Sequence, residues 1–522
     1  MKKSLLFSKR NIFFVFIFAA AVFLHFRNLK DVRYIMPDES RAFAMLTTGP
    51  LIYLLCRPVY QFFVTQQSVF YFVSVLACIN IVLFYFISRY FLKKKDSLWA
   101  LAFYVFFPFR INYSRLLYPS VFVDFFFLIG VLILVYVIRK NKPLLFFPLG
   151  VITSLLFAVH PYVYHILFGL AFSLVYLFFS KNKPISHRKI IIFSFFYFLG
   201  IVLTLFSLNE VFSLFRPDYN YLSKLVVAKN AGVEVFCQTE IKSFFANLLR
   251  AIIKSPFSIF RAAFVALMIF FSLFPKVLSR NSRLKYVAVA LISSLGLFFV
   301  MAVLKQHVVR YRHFVWLCPG ICLLMANTLS FFLEQKTKII KNIFLIFSII
   351  FIVLSFQESY LLTRETFRLT MVESWLDQKN IKYSSVLSGF QLFDPKNKKV
   401  SFFLPIYYEQ DRAYIHWAIV YKAYRAGLSK YLIPSGRGVY EKVYKDDPFL
   451  QNVKPIIEWV HPFSQFEKRI FPEGCVDDLT KEYYYIKVYN LDEVFSPDNL
   501  NRALSYQMLL KAMKKNLTEQ EK

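Results

Sequence analysis

Long apolar runs and short basic clusters alternate over the first two-thirds of the chain. The runs NIFFVFIFAAAVFLHF (11–26) and SVFYFVSVLACINIVLFYFISRYF (68–91) set the pattern. They approach the ~20 residues that an α-helix needs to cross ~30 Å of hydrocarbon, and about eleven such runs follow one another. The clusters fall where the chain would turn. MKKSLLFSKR precedes the first run, KKKD (93–96) follows the second, RKNK (139–142) the fourth and SKNKPISHRK (180–189) the sixth. PKVLSRNSRLK (275–285) follows the eighth run and EQKTKIIK (334–341) the tenth. Lys and Arg gather on the cytoplasmic side of membrane proteins. With every cluster there, a single topology results: N-terminus inside, about eleven crossings, C-terminus outside.

The outer segments are then 26–68, 109–120, a tight turn at 160–165, 209–256 and 305–313, with everything after about 358 also outside. In that last stretch the period changes. Strand-like pieces (YSSVLSGF, VSFFLPIYY, KYLIPSG, EYYYIKVYNL) alternate with helical ones such as FRLTMVESWLDQKN and WAIVYKAYRAGL. At about 160 residues this tail is long enough to bury its own core. The expected fold is an all-α polytopic membrane region over 1–357, followed by an extracytoplasmic soluble α/β domain over 358–522.

Composition removes the soluble alternative. Of 522 residues, 57% are hydrophobic and only 18% charged, with a mean hydropathy of +0.50. A soluble chain of this size needs more charged surface. The net charge of +32 is mostly the cytoplasmic bias itself, so only basic residues on the outer side call for a second explanation. The N-terminus is basic and then apolar, but no small-x-small site precedes a polar start, so it reads as a retained first helix. Cys78, Cys318 and Cys322 sit inside apolar runs as small core residues. Cys56, Cys237 and Cys475 fall in outer segments and leave room for one disulfide that spacing does not assign. No Cys/His spacing reads as a zinc site.

Candidate chemistry collects in the outer segments. In MPDESRAFAM (36–45), Asp38 and Glu39 are adjacent, with Arg41 two residues on. A carboxylate at a membrane face can act as general base toward a hydroxyl. Asp after Pro and before a helical stretch is also an ordinary N-cap, yet both acids cannot be the cap. Arg57, in the same segment, either snorkels to headgroups or binds an anion. Arg110, Ser114 and Arg115 occupy the short second outer segment. Asp124 follows within the next apolar run, where an ionisable group pairs with a neighbour or faces a cavity. His160 precedes Pro161 and reads as a hydrogen-bonded structural residue or a ligand. KQHVVRYRH carries Lys305, His307, Arg310, Arg312 and His313 within nine residues and no acid. A solvated turn touching lipid headgroups would look like this, and so would a clamp for a departing phosphate.

These residues resemble the GT-C glycosyltransferases, specifically the protein O-mannosyltransferase and lipid A aminoarabinose transferase group. The likeness rests on PDESRAFAM after the first run, INYSRLLYPSVFVDFFFL, HPYVY and YRHFVWLCPGICLLMAN. It spans about residues 10–330 and is weaker in the tail. It implies that Asp38 or Glu39 is the catalytic base, with Arg41 following in the same loop and Arg310 and Arg312 facing the donor phosphate; the outer basic residues Arg57, Arg115 and Lys305 are further candidates for that phosphate. Asp124 and His160 would support them. Two departures stand out. Tyr118 and Pro119 occupy the place where many relatives carry a second acid, and the late basic motif reads RYR.

The expected activity is transfer of a sugar from a polyprenyl-phosphate donor to a hydroxyl on a lipid, glycan or protein, with inversion, at the extracytoplasmic face of a bacterial inner membrane. No cofactor and no obligatory metal are expected, and no nucleic acid among the partners. Two other classes compete. A flippase or transporter of lipid-linked glycans would spread charge through the midplane and show repeats. A glycan polymerase or ligase would concentrate function in large late loops.

Overall fold

The computed structural model describes residues 9–27, 29, 51–63, 66–107, 110–115, 119–140, 142–160, 163–179, 187–215, 220–222, 258–281, 283–303, 316–364, 369–388, 393–394, 399–400, 402–403, 406–409, 412–415, 417–434, 447–460 and 485–503. The chain divides into two compact units, the second formed mainly by Glu365–Lys522.

The first unit is helical. Its elements are α1 (Lys9–Phe26), α2 (Leu51–Phe63), α3 (Gln66–Phe91), α4 (Lys94–Val105), α5 (Arg110–Arg115), α6 (Pro119–Lys140), α7 (Phe146–Val159), α8 (Tyr164–Phe179) and α9 (His187–Phe215). After these come α10 (Ser258–Ser272), α11 (Pro275–Ser279), α12 (Leu284–Val303), α13 (Cys318–Leu333) and α14 (Lys338–Arg364). Among the described residues five helices are long and apolar enough to cross a membrane: Ser68–Phe91, Pro119–Val137, Ile191–Leu214, Leu284–Met301 and Lys338–Tyr360. Five more apolar helices are shorter, at 10–17 residues. The chain is an integral membrane protein. Leu, Ile, Val and Phe dominate these helices because lipid offers no hydrogen bonds, and a helix satisfies its own backbone.

The aliphatic and aromatic side chains do not all face lipid. One core joins α1, α3, α4, α10, α13 and α14 through Phe84, Phe103, Tyr104, Phe264, Met325 and Phe351. Elsewhere, small residues set the packing distance, since helices in lipid associate through close contact of surfaces, not through the hydrophobic effect. A Cβ on Gly150 of α7 would lie 2.1 Å from the Tyr197 carbonyl oxygen of α9. One on Gly169 of α8 would lie 2.3 Å from the Ala290 carbonyl oxygen of α12. Larger residues would force these pairs apart.

The second unit contains α15 (Leu369–Gln378), α16 (Trp417–Arg425), α17 (Leu491–Val494) and a five-stranded sheet ordered β4-β1-β7-β9-β8. β1 (Val386–Ser388) runs parallel to both β4 (Phe402–Phe403) and β7 (Tyr431–Ile433). β9 (Tyr485–Asn490) is antiparallel to β7 and to β8 (Ile457–Val460). Two separate hairpins pair Phe393–Asp394 with Lys399–Val400 and Ile406–Glu409 with Arg412–Ile415. α16 stops at Gly427, whose φ of +68° is the left-handed conformation that closes a helix C-terminus cheaply. The helix then packs Val420 and Trp417 against Leu432, Phe449 and Phe495.

Candidate functional site

The clearest concentration of buried polar groups lies where α1 ends and α5 and α6 begin. α1 stops at Phe26, and the last carbonyls of a helix need outside donors. Arg115, at the end of α5 and 1% exposed, supplies them. Its Nε donates to the His25 carbonyl at 3.2 Å, and its Nη2 donates to the Arg27 carbonyl. A cation at a helix C-terminus also meets the negative end of the dipole. Ser74 of α3 adds a third donor, to the His25 carbonyl, at 3.3 Å.

His25 ties the same corner from its side chain. Nδ1 donates to the Ala21 carbonyl at 2.7 Å, and Nε2 lies 2.8 Å from Ser114 Oγ. Ser114 Oγ also lies 3.1 Å from the Ile111 carbonyl, which can only accept. One imidazole thus joins α1 to α5. The Arg27 guanidinium stacks 3.7 Å from the Tyr360 ring centroid of α14, which adds the last crossing helix to the corner.

Next to it sits a buried ion pair. Arg110 Nη2 is 3.1 Å from Asp124 Oδ2, and both side chains are almost wholly buried. The Tyr104 hydroxyl accepts from Arg110 and donates to Asp124 at 3.3 Å, while the guanidinium lies 3.6 Å over the Tyr104 ring. Among the described residues, Arg110 Nε and Nη1 and Asp124 Oδ1 have no hydrogen-bond partner. A second pair, Arg261 of α10 and Glu358 of α14, is bidentate, with each N–H donating at 2.5 Å. Both pairs lie within about two turns of a helix end, since 1.5 Å of rise per residue puts Asp124 and Arg261 close to the start of α6 and α10.

A third feature anchors the start of α13. Trp316 follows the segment that carries Lys305, Arg310 and Arg312. Its ring meets His160 edge-on at 5.3 Å and stacks on His165 at 5.6 Å. His165 in turn lies 3.7 Å from Phe298 of α12. His160 also ends α7, its N–H bonding the Leu156 carbonyl.

The residues picked out from sequence therefore divide. Arg115, Asp124 and His160 are placed, each inside a packed contact. Arg57 is half-buried on α2, with its guanidinium 5.5 Å from the Tyr53 ring centroid. Asp38, Glu39, Arg41, Lys305, Arg310 and Arg312 lie outside the described residues. Cys56 is buried, and Cys237 and Cys475 are also outside the described set. Sequence reasoning passed over His25, His165, Arg261 and Glu358. Each was legible in principle as an ionisable group within an apolar run, which is costly unless paired. Among the described residues no group of three or more His, Cys, Asp or Glu side chains is arranged to hold a metal ion.

No family model matches the chain, and no curated protein is significantly similar to it. Two solved structures of an oligosaccharyltransferase from Archaeoglobus fulgidus are similar in part. One is tethered to an acceptor peptide containing the NVT sequon. It is 11% identical with a TM-score of 0.41, over 88% of this chain and 74% of that one. The other, AglB in complex with an inhibitory peptide and a dolichol-phosphate, is 12% identical with a TM-score of 0.38, over 82% and 69%. Likeness of this order does not establish a common fold.

Proposed function

We propose that the chain is a GT-C type membrane glycosyltransferase that moves a sugar from a polyprenyl-phosphate donor to a hydroxyl acceptor at the extracytoplasmic face, with inversion. About eleven helices would cross the bilayer, the shorter apolar ones completing the set, and the second unit would be an extracytoplasmic α/β domain. The acceptor is a lipid, a glycan or a protein, and the membrane is a bacterial inner membrane.

The observation that carries the reading is the corner where α1 ends. The segment bearing Asp38 and Glu39 leaves a helix whose last carbonyls are held by buried Arg115, with His25 and Ser114 beside it. A base must sit within hydrogen-bond reach of the proton that it takes, so the root of its loop has to be fixed. In this reading Asp38 or Glu39 deprotonates the acceptor hydroxyl as it attacks the anomeric carbon. The bond to the phosphate oxygen breaks, and the phosphate leaves with its charge met by Arg41, Lys305, Arg310 and Arg312. Arg57 joins them from α2. Arg115 and Asp124 act as positioning residues, Asp124 by holding Arg110, and His160 steadies Trp316 at the end of the basic segment.

Placement of the buried pairs near helix ends favours this reading over a flippase, whose charged path would run through the midplane. The test in cells is mass spectrometry of surface glycans and lipids with and without the protein. Loss of one sugar from a defined acceptor is expected. Intact products with accumulation of a whole lipid-linked glycan on the inner leaflet would favour the flippase. In membranes, Arg310→Ala and Arg312→Ala should raise the KM for the donor, and an unchanged KM would remove the phosphate clamp.

A further inference from the structure

Two apolar clefts lie side by side in the membrane unit and share a wall of α6 and α8 that includes Phe127, Leu134 and Leu170. The smaller is lined also by α7 and α9, and the residues that line it include no charged side chain. The larger is walled by α3, α6, α8, α12 and α13, and it does include one: Arg283. That difference separates a packing defect from a binding site.

Arg283 sits at the mouth of the larger cleft, just before α12, in the basic cluster PKVLSRNSRLK. It is exposed. Its Nη1 donates to the Tyr90 carbonyl at 2.7 Å, and the guanidinium lies 4.6 Å from the Tyr90 ring centroid. One of five N–H donors is thereby used to fix the fork, and the flat group is held at the rim with others to spare. Arg89, which precedes Tyr90 in the chain, and Lys285, two residues after Arg283, are also exposed. Deeper in, the walls are Leu, Val, Ile and Phe, interrupted by the small Ser294, Ala290 and Gly320. At the far end Trp316 closes the cleft, stacked on His165.

Depth identifies the occupant. Tyr286 to Ser294, the face of α12 that lines the cleft, rises about 12 Å. That is about the thickness of one leaflet, half of a ~30 Å hydrocarbon core. A chain entering beside Arg283 fills the cleft within its own leaflet, as one acyl tail of a phospholipid does. A polyprenyl tail, long and branched, would outrun it. Basic groups at the rim attract the anionic headgroups of the leaflet that faces the clustered Lys and Arg.

We propose that this cleft binds one acyl chain of an anionic phospholipid from the leaflet on the basic side, with the lipid phosphate on Arg283. Its mouth at Arg283 lies on the basic side of the helical unit, and its far end is Trp316, which follows the segment assigned above to the donor phosphate.

Photolabelling of the full chain in vesicles tests it. Phosphatidylglycerol carrying a diazirine in its acyl chain should crosslink to residues 127–135 and 286–294. The matching phosphatidylcholine probe should label several-fold less. In Arg283→Gln the preference for the anionic lipid should shrink roughly fivefold, the worth of one basic residue at a charged membrane surface. Val131→Trp, which fills the cleft, should lose the label. Competition with unlabelled lipids on the unaltered chain reads the same preference without any substitution. Equal labelling by both headgroups, label outside these helices, or displacement by polyprenyl phosphate but not by phosphatidylglycerol would each overturn the proposal.

Discussion

The two ends of the helical unit handle charge in opposite ways. At the end where α1 stops and α5, α6 and α10 begin, the charged groups are buried and matched one to one: Arg110 with Asp124, Arg261 with Glu358. At the other end, Glu334 lies between Lys95 at 3.1 Å and Arg280 at 2.5 Å, and both Glu334 and Lys95 stand in solvent. The first arrangement is costly to assemble and costly to break, because each ion has lost its water. The Lys95–Glu334 link of the second is worth little, because water and salt already screen it. Sequence-level charge counting sees the second kind well and the first kind hardly at all. A lone Glu among Phe and Ser gives no hint of which Arg, nearly a hundred residues away, it will meet.

The comparison can be broken from its strong side. Glu358→Leu leaves Arg261 buried without its carboxylate and should destabilise the full chain by about 3–5 kcal/mol, read as thermal unfolding in detergent. The double variant Glu358→Leu with Arg261→Met should recover most of the loss. If the single variant melted like the parent, the pair would not be buried in the membrane unit.

Packing gives the next effect. Gly169→Leu must push α8 away from the Ala290 carbonyl, and a loss of about 1–3 kcal/mol is expected. Gly296→Ala, where an added Cβ would meet nothing within 4 Å, is the matched control and should change little. Equal melting of the two variants would mean that α8 and α12 do not approach closely.

A buried carboxylate in the second unit sharpens the same contrast, because its partners are neutral. Asp447 accepts from Trp417 Nε1 at 2.9 Å and from the Phe449 backbone N–H at 2.9 Å. Burial outweighs those bonds and pushes its carboxyl from 3.8 up to about 6. Between those values the folded chain holds the proton more tightly than the unfolded chain does. This group's contribution is therefore full below about pH 4 and lost as pH rises through about 6. The unit should resist proteolysis better at pH 5 than at pH 7.5, by about 1.4 kcal/mol, and Asp447→Asn should flatten that difference. An unchanged pH dependence in the variant would place the titration elsewhere.

The weakest link should be the exposed one. Lys95→Ala is expected to cost under about 1 kcal/mol and to lose even that in high salt.

How much of this was legible beforehand follows from the kind of physics involved. Helices could be read from the runs because lipid forces the backbone to bond within its own segment, so length and hydropathy alone carry the signal. Pairing was not legible. Arg115 was noticed as an outer basic residue, but its place on the carbonyls of His25 and Arg27 depends on how α5 folds back over α1. In the sequence Asp124 is an acid that either pairs or faces a cavity, and only the turn that brings Arg110 and Tyr104 beside it decides between the two. His25 was lost inside its apolar run.

The most direct measurement is sugar transfer by the purified full chain from a polyprenyl-phosphate sugar, comparing the parent with Asp38→Asn and Glu39→Gln. Loss of a general base costs roughly 10²–10⁴ in rate. A fall of that order in one variant, with donor binding and thermal unfolding unchanged, is the expected result and names the base. Full turnover in both variants would contradict the central claim that the acidic pair after α1 carries the chemistry.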